Sequence, residues 1–142
     1  MTAARINHVS VHALDLDVSE AFYSELFGMT RLPTPDFGHP VRWLKVGDTQ
    51  VHLFLLPVEA PTSHHFALTV DDLEAVYRKA RERGALDSPR VRRLPDGVAQ
   101  MYLRDPSGNL VECNASDADS LDTAVVGELQ PVGGEEGAQL YL

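Results

Sequence analysis

The sequence holds a single cysteine, Cys113, which excludes any disulfide bond within the chain. No stretch comes near the roughly 20 consecutive apolar residues that a membrane-spanning helix needs. The first residues, MTAARINHVSV, also lack the apolar core of a secretory signal peptide. A lone thiol suits a reducing compartment, so we expect a cytoplasmic protein with no membrane partner.

Basic residues are also scarce, because 12 Lys and Arg stand against 21 Asp and Glu and leave a formal net charge of −9. Binding to nucleic acid would need a basic patch, so we expect no nucleic-acid partner. The excess acid lies mainly in residues 115–142, which contain six acidic side chains and no Lys or Arg. The charge therefore says little about the substrate.

Several common catalytic motifs are absent. The chain has no Gly-x-Gly-x-x-Gly, no phosphate-binding loop and no Gly-x-Ser-x-Gly elbow. Cys113 alternates onto the core side of its predicted strand, so we expect a buried, inert thiol rather than a nucleophile.

The first half of the chain predicts a strand, a helix and further strands. The alternating run INHVSV predicts the first strand. A capping box from Asp17 to Glu20 predicts the start of a helix that Gly28 closes. After a loop rich in Pro and Gly, RWLKV and QVHLFLL predict two strands joined by a turn at Gly47-Asp48.

The second half follows the same pattern. HHFALTV predicts a strand, a capping box from Asp71 to Glu74 opens a helix, and Gly84 ends it. VRRL predicts a weak strand, and AQMYLR and NLVECN predict two more around the turn DPSGN. We therefore predict an α+β fold of two tandem βαβββ modules, over residues 5–57 and 63–114 of one domain (1–114), followed by an acidic tail (115–142).

Four polar residues recur at matching places in the two halves. A shift of 57 residues places His8 on His65, and a shift of 60 places His52 on Glu112. Alternation puts all four on the strand face opposite the core. Imidazole nitrogens and a carboxylate suit Fe, Mn, Co, Ni or Zn. The pattern favours a metal site over four unrelated polar side chains on exposed sheet faces.

Other polar residues leave alternatives open. His64 replaces His65 as a ligand if the strand register slips by one residue. His12 is expected to be a solvated or supporting residue, and His39 a rim residue. Tyr102 lies roughly opposite Glu112 and either donates a proton or packs. Four arginines either anchor an anionic substrate or lie solvated at strand edges: Arg42, Arg92, Arg93 and Arg104.

Three segments resemble the vicinal oxygen chelate superfamily: INHVSVHALDLDVSEAFYSELFGM, HHFALTVDDLEAVYRKARERGA and MYLRDPSGNLVECN. That superfamily contains glyoxalase I, methylmalonyl-CoA epimerase, fosfomycin-resistance proteins, extradiol dioxygenases and bleomycin-resistance proteins. The resemblance covers residues 5–114. It implies paired modules that form a curved mixed sheet, or half-barrel, around one divalent metal ion.

The resemblance also implies roles for single residues. It places His8, His65 and Glu112 at the ligand positions that the catalytic members share. His52 falls where glyoxalases and epimerases supply a further ligand, usually Glu or Gln. In extradiol dioxygenases a non-ligand His acts from a similar region, and a Tyr ten residues before the ligand Glu assists, as Tyr102 does by spacing. His52 is thus expected to be a fourth ligand or a catalytic neighbour.

These resemblances lead to one main functional expectation and two alternatives. We expect a metal-dependent, glyoxalase-like lyase or isomerase that chelates adjacent oxygens of a small oxygenated substrate. An extradiol ring-cleaving dioxygenase is the first alternative, and a non-catalytic binding or resistance protein is the second. Open sheet edges also favour a homodimer, with the site closed within one chain or across two copies. The tail is expected to be largely irregular or mobile, with Gln-Leu-Tyr-Leu docking on the domain.

Overall fold

The computed structural model describes residues 3–142, which divide into two compact units. Unit 1 comprises the described residues up to Thr62 together with Asp105–Asn109, and unit 2 comprises Ser63–Arg104 and Leu110–Leu142. Within residues 3–142, no helix has the length and apolar character needed to cross a bilayer.

Unit 1 has the predicted βαβββ order. Its elements are β1 (His8–Ala13), α1 (Leu16–Phe27), β2 (Thr30–Leu32), β3 (Val41–Val46) and β4 (Thr49–Leu55). The sheet order is β1-β4-β3-β2, with β1 parallel to β4 and the other pairs antiparallel. The runs of apolar residues did not delineate β2, because three residues are too few to show a period of two.

The N-cap of helix α1 lies two residues before the predicted one. Asp15 has extended backbone angles, and its carboxylate accepts hydrogen bonds from the N–H groups of Asp17 and Val18. The N-cap is therefore Asp15, and the predicted Asp17 cap is wrong. Asp17 lies in the first turn, where its negative charge interacts favourably with the helix dipole. Gly28 ends the helix with a φ of 66°, as predicted.

Unit 2 repeats the order and adds elements from the tail. Its elements are β5 (His65–Thr69), α2 (Leu73–Glu82), β6 (Arg92–Arg93), β7 (Ala99–Arg104), β8 (Leu110–Ala115), a 3-10 turn (Ala118–Ser120), α3 (Thr123–Val126) and β9 (Gln130–Pro131). The sheet order is β5-β8-β7-β6-β9, with β5 parallel to β8. The prediction of an α+β fold with two tandem βαβββ modules is confirmed.

The N-cap of helix α2 lies one residue after the predicted one. The side chain of Asp72, not Asp71, caps the helix by accepting a hydrogen bond from the N–H of Ala75. The apolar side of the helix buries Leu73, Val76 and Ala80. Their spacing of three and four residues is what brings them onto one face.

A buried polar network holds the turn at residues 105–109 within unit 1. The Tyr23 hydroxyl donates to Asp105 Oδ2 at 2.7 Å, and Asp105 also accepts from the backbone and side chain of Asn109. Asn109 Nδ2 donates to the His12 carbonyl at 2.7 Å. Burial, followed by the charge of Asp105, raises the pKa of Tyr23 well above its ordinary value, so its hydroxyl stays protonated.

The predicted irregularity of the tail is wrong for residues 118–131, where three short elements form. Strand β9 pairs with β6, and the Arg93 guanidinium donates two hydrogen bonds of 2.8 Å to Asp119. Ala118 and Val126 are buried. Residues 132–142 contain no helix or strand, although the N–H of Leu140 donates to Asp96 at 2.7 Å.

Two truncations should separate these parts of the tail. Removal of residues 133–142 deletes mainly exposed chain and should leave the free energy of unfolding nearly unchanged. Removal of residues 117–142 also uncovers β6 and the apolar contacts of Val126, and should lower that free energy by about 2 kcal/mol or more. Urea unfolding of both chains tests this. Equal stabilities would contradict a structural role for residues 117–132.

Candidate functional site

One strand register brings the candidate residues together in both units. In unit 1, Ser10 of β1 pairs with His52 of β4, and His8 lies two residues earlier on the same face. In unit 2, Ala67 of β5 pairs with Glu112 of β8, and His65 lies two residues earlier. The sequence repeat is thus also a repeat of strand pairing, and each unit contains one pair of the predicted residues.

The pair in unit 1 is part of a stack of three rings. The His8 and His52 rings lie 4.2 Å apart between centroids at 17°, and His52 lies 4.3 Å from Trp43 at 6°. His52 is only 7% exposed. Its Nε2–H donates a hydrogen bond of 2.8 Å to Gln50 Oε1, so that Nδ1 is unprotonated in the neutral ring. Burial, and then neighbouring His8, lowers the pKa of His52.

A cavity of about 430 Å³ opens beside this stack within unit 1. Its volume is within the usual range for small-molecule sites. Its walls are largely aromatic, and the lining residues are Asn7, His8, Ser10, Phe37, Trp43, Gln50, His52 and Phe54. The buried Nε1 of Trp43 finds no hydrogen-bond acceptor among residues 3–142. The ring of His39 lies 5.8 Å from that of Phe54, which agrees with its predicted place at a rim.

The pair in unit 2 is a direct polar contact. His65 Nε2 lies 2.9 Å from Glu112 Oε2, while its Nδ1 lies 3.0 Å from the Ser63 carbonyl oxygen. The carbonyl only accepts, so Nδ1 carries a proton and the neutral ring presents an Nε2 lone pair to the carboxylate. Two such electron-pair donors attract each other only through a shared proton or cation. This donor set fits a divalent metal ion.

The Glu112 carboxylate accepts hydrogen bonds from other side chains of unit 2. Gln100 Nε2 donates to Oε1 at 2.8 Å, and the Tyr102 hydroxyl donates to Oε2 at 3.0 Å. Burial acts to raise the pKa of Glu112, but hydrogen bonds from Gln100, Asn114 and Tyr102, with neighbouring His65, outweigh it and lower that pKa. The carboxylate is therefore charged and fixed in orientation.

Tyr102 lies opposite Glu112 in the pairing of β7 with β8, as predicted. The ring centroids of Tyr102 and His65 also lie 5.3 Å apart in an edge-to-face arrangement. Burial, followed by the charge of Glu112 and their hydrogen bond, raises the pKa of Tyr102. Its hydroxyl thus remains a proton donor at neutral pH.

The structure selects His65 over its neighbour His64. His64 is exposed and precedes β5, whereas His65 begins that strand and contacts Glu112. The alternative register, slipped by one residue, is therefore wrong. His12 lies on β1 and is only half-buried.

Three of the four candidate arginines form salt bridges with carboxylates. Arg42 contacts Asp17 and Glu20, both at 2.7 Å. Arg93 contacts Asp119, and Arg104 contacts Asp87 at 3.0 Å. Arg92 differs, since its guanidinium carbon lies 5.8 Å from the centroid of the Tyr102 ring. Salt bridges within the units therefore account for the side chains of Arg42, Arg93 and Arg104.

No group of three or more His, Cys, Asp or Glu gathers at a position suited to a metal ion within residues 3–142. The four predicted ligands instead occur as two pairs, His8 with His52 and His65 with Glu112. Each pair lies within its own unit.

The fold and these pairs together define the class of protein. The chain consists of two βαβββ modules, each with a histidine on its first strand beside a second candidate ligand on its fourth strand. It belongs to the Glyoxalase/Bleomycin resistance protein/Dioxygenase superfamily, whose sequence model matches residues 5–113. The resemblance inferred from the sequence is confirmed.

Individual relatives support this membership. The chain is 30% identical over 122 residues to the uncharacterized protein YwbC of Bacillus subtilis, covering 78% of this chain and 96% of that protein. It is 27% identical over 126 residues to mitochondrial methylmalonyl-CoA epimerase of Mus musculus, covering 76% and 71%. The structure of lactoylglutathione lyase from Agrobacterium tumefaciens matches with a TM-score of 0.63 and 24% identity, covering 85% and 100%. At that identity the likeness shows the fold alone.

Cys113 should be unreactive in the folded protein. It is fully buried, and burial, followed by the charge of Glu112, raises the pKa of its thiol to about 12. A thiol-specific disulfide reagent should therefore modify the native chain very slowly and the unfolded chain completely. The control is the same reaction on Cys113→Ala, which should show no signal in either state. Rapid modification of the native chain would contradict the buried position.

Proposed function

We propose that this protein is a divalent-metal-dependent enzyme of the lyase/isomerase kind, acting on a small substrate with adjacent oxygens. The observation that carries this proposal is the contact between His65 Nε2 and Glu112 Oε2, in which two metal-binding atoms face each other. A relative named methylmalonyl-CoA epimerase supports a reaction of this kind.

His8, His65 and Glu112 are the proposed ligands. The hydrogen bond from His65 Nδ1 to the Ser63 carbonyl is the arrangement that fixes the tautomer of a metal-bound histidine. Gln100 and Tyr102 orient the carboxylate in the same way. A divalent ion (Fe, Mn, Ni, Co or Zn) would stabilise negative charge on substrate oxygens.

His52 is proposed as the group that accepts a proton from the substrate. Its ring is clamped between those of His8 and Trp43, whereas two imidazoles that share one ion usually point their edges at it from different directions. The hydrogen bond to Gln50 leaves Nδ1 as the basic atom. His52 also lines the cavity, where a small substrate can reach it.

Tyr102, a residue of unit 2, is proposed to support the reaction through Glu112. Its hydroxyl donates to the oxygen of Glu112 that also faces His65. This hydrogen bond stabilises the charged carboxylate and directs it. Tyr102 thus acts first as a positioning residue, and its hydroxyl proton lies in the hydrogen bond to that carboxylate oxygen.

An extradiol ring-cleaving dioxygenase is the second candidate. The contact of 3.0 Å between Tyr102 and Glu112 favours it, because the sequence resemblance implies such an assisting tyrosine in those enzymes. Samples loaded with each metal should be assayed for hemithioacetal isomerisation and for oxygen uptake with catechol. We expect the first activity. Oxygen uptake in the iron-loaded sample alone would establish the second candidate instead.

Replacement of single ligands should separate metal binding from turnover. His8→Ala, His65→Ala and Glu112→Ala should each weaken metal binding by at least about tenfold, because each removes one donor atom. His52→Ala should retain the metal and lose turnover. Elemental analysis and calorimetric titration provide the measurements, with circular dichroism to confirm folding.

The matched control for His65→Ala is His64→Ala, which changes the adjacent exposed histidine and should retain full metal content. Loss of metal from the His64 variant alone would contradict the assignment of ligands. Purified native protein without any metal, unable to bind one on titration, would overturn the proposed metal dependence and favour a non-catalytic binding protein.

We also propose a homodimer. Strand β1, which carries His8, is an edge strand of its sheet, and open edges commonly pair with a partner. Sedimentation at micromolar concentration should therefore report a mass about twice that of the 15.6 kDa chain. A monomer with full metal content would contradict the dimer and would require all ligands to come from one chain.

A further inference from the structure

Arg92 shares a sheet face with the candidate site in unit 2. In the pairing of β6 with β7, Arg92 lies opposite Gln100, and in the pairing of β7 with β8, Gln100 lies opposite Asn114. Directly opposed residues point to the same side of a sheet. Arg92 therefore lies on the face of Gln100, Tyr102 and Glu112.

The charge of Arg92 is not neutralised within the described chain. Among residues 3–142, its guanidinium makes no ion pair, unlike those of Arg42, Arg93 and Arg104. The nearby Glu112 carboxylate accepts hydrogen bonds from Gln100 and Tyr102 rather than from Arg92. Arg92 is nevertheless half-buried and lies over the Tyr102 ring.

A half-buried guanidinium without a carboxylate is well suited to an anionic ligand. Contact with the Tyr102 ring holds the side chain in place, which reduces the entropy lost on binding. Its planar set of N–H donors matches two oxygens of a carboxylate or phosphate. A buried unpaired charge also gains more from an ion pair than an exposed one does.

We propose that Arg92 binds an anionic oxygen group of the substrate, while the reacting oxygens lie at His65 and Glu112. This assignment rests on the proposed function of that pair. Strands β6 and β8 are two strand spacings apart, roughly 10 Å. The substrate is thus an acid whose anionic group is separated from its adjacent reacting oxygens by several bonds.

The experiment uses three probes of similar shape: benzoate, phenyl phosphate and the uncharged benzamide. Binding to the protein as purified is followed by NMR, including the Nε–H signal of Arg92, and is repeated after metal removal. At least one anion should bind about tenfold more tightly than benzamide, and the stronger anion identifies the preferred group. Arg92→Gln should remove this preference, whereas Arg92→Lys should retain part of it because it keeps the charge.

Arg90→Gln is the matched control, since Arg90 is an exposed arginine two residues away and should behave as the wild type. Equal binding of anions and benzamide, or an unchanged preference in Arg92→Gln, would overturn the assignment. The NMR spectrum itself reports whether each variant folds. If Arg92→Gln does not fold, Arg92→Lys provides the test.

Metal content measured on the same samples separates this inference from the proposed function. A charge preference that depends on Arg92 in a protein unable to bind metal would support the anion site and overturn the metal-dependent reaction. Metal binding that depends on His65, without any role of Arg92 in anion binding, would overturn the anion site alone.

Discussion

The parallel pairing of β1 with β4 and of β5 with β8 is the constraint on which both pairs of candidate residues depend. It sets His8 diagonally beside His52, and His65 diagonally beside Glu112. Because side chains alternate along a strand, a slip of one residue would turn every one of these groups to the opposite face. The helices between the strands make this parallel connection possible.

The same pairing supports different chemistry in the two units. In unit 1 the last strand presents His52, and the pair forms an aromatic stack with Trp43 beside a cavity. In unit 2 the equivalent position holds Glu112, and the pair forms a polar network. One backbone pattern thus gives one unit an aromatic wall and the other a fixed charge.

Much of the fold could be predicted because the spacing of apolar residues and the positions of the glycines indicated the same elements. Alternating runs predicted the longer strands, and Gly28 marked the end of α1. The N-cap was misplaced by two residues because both Asp15 and Asp17 have capping side chains, and only backbone angles decide between them. Strand β9 was missed because two residues carry no periodic signal, and its pairing with β6 joins residues that are distant in sequence.

The sequence by itself determined the repeat, the alternation and hence which residues share a strand face, since these follow from spacing along the chain. Only the tertiary structure decided that His65 rather than His64 meets Glu112, and that His52 stacks between two rings. It also decided that three arginines are neutralised while Arg92 is not. Charge pairing and ring contacts join residues that are distant in sequence, so no local pattern encodes them.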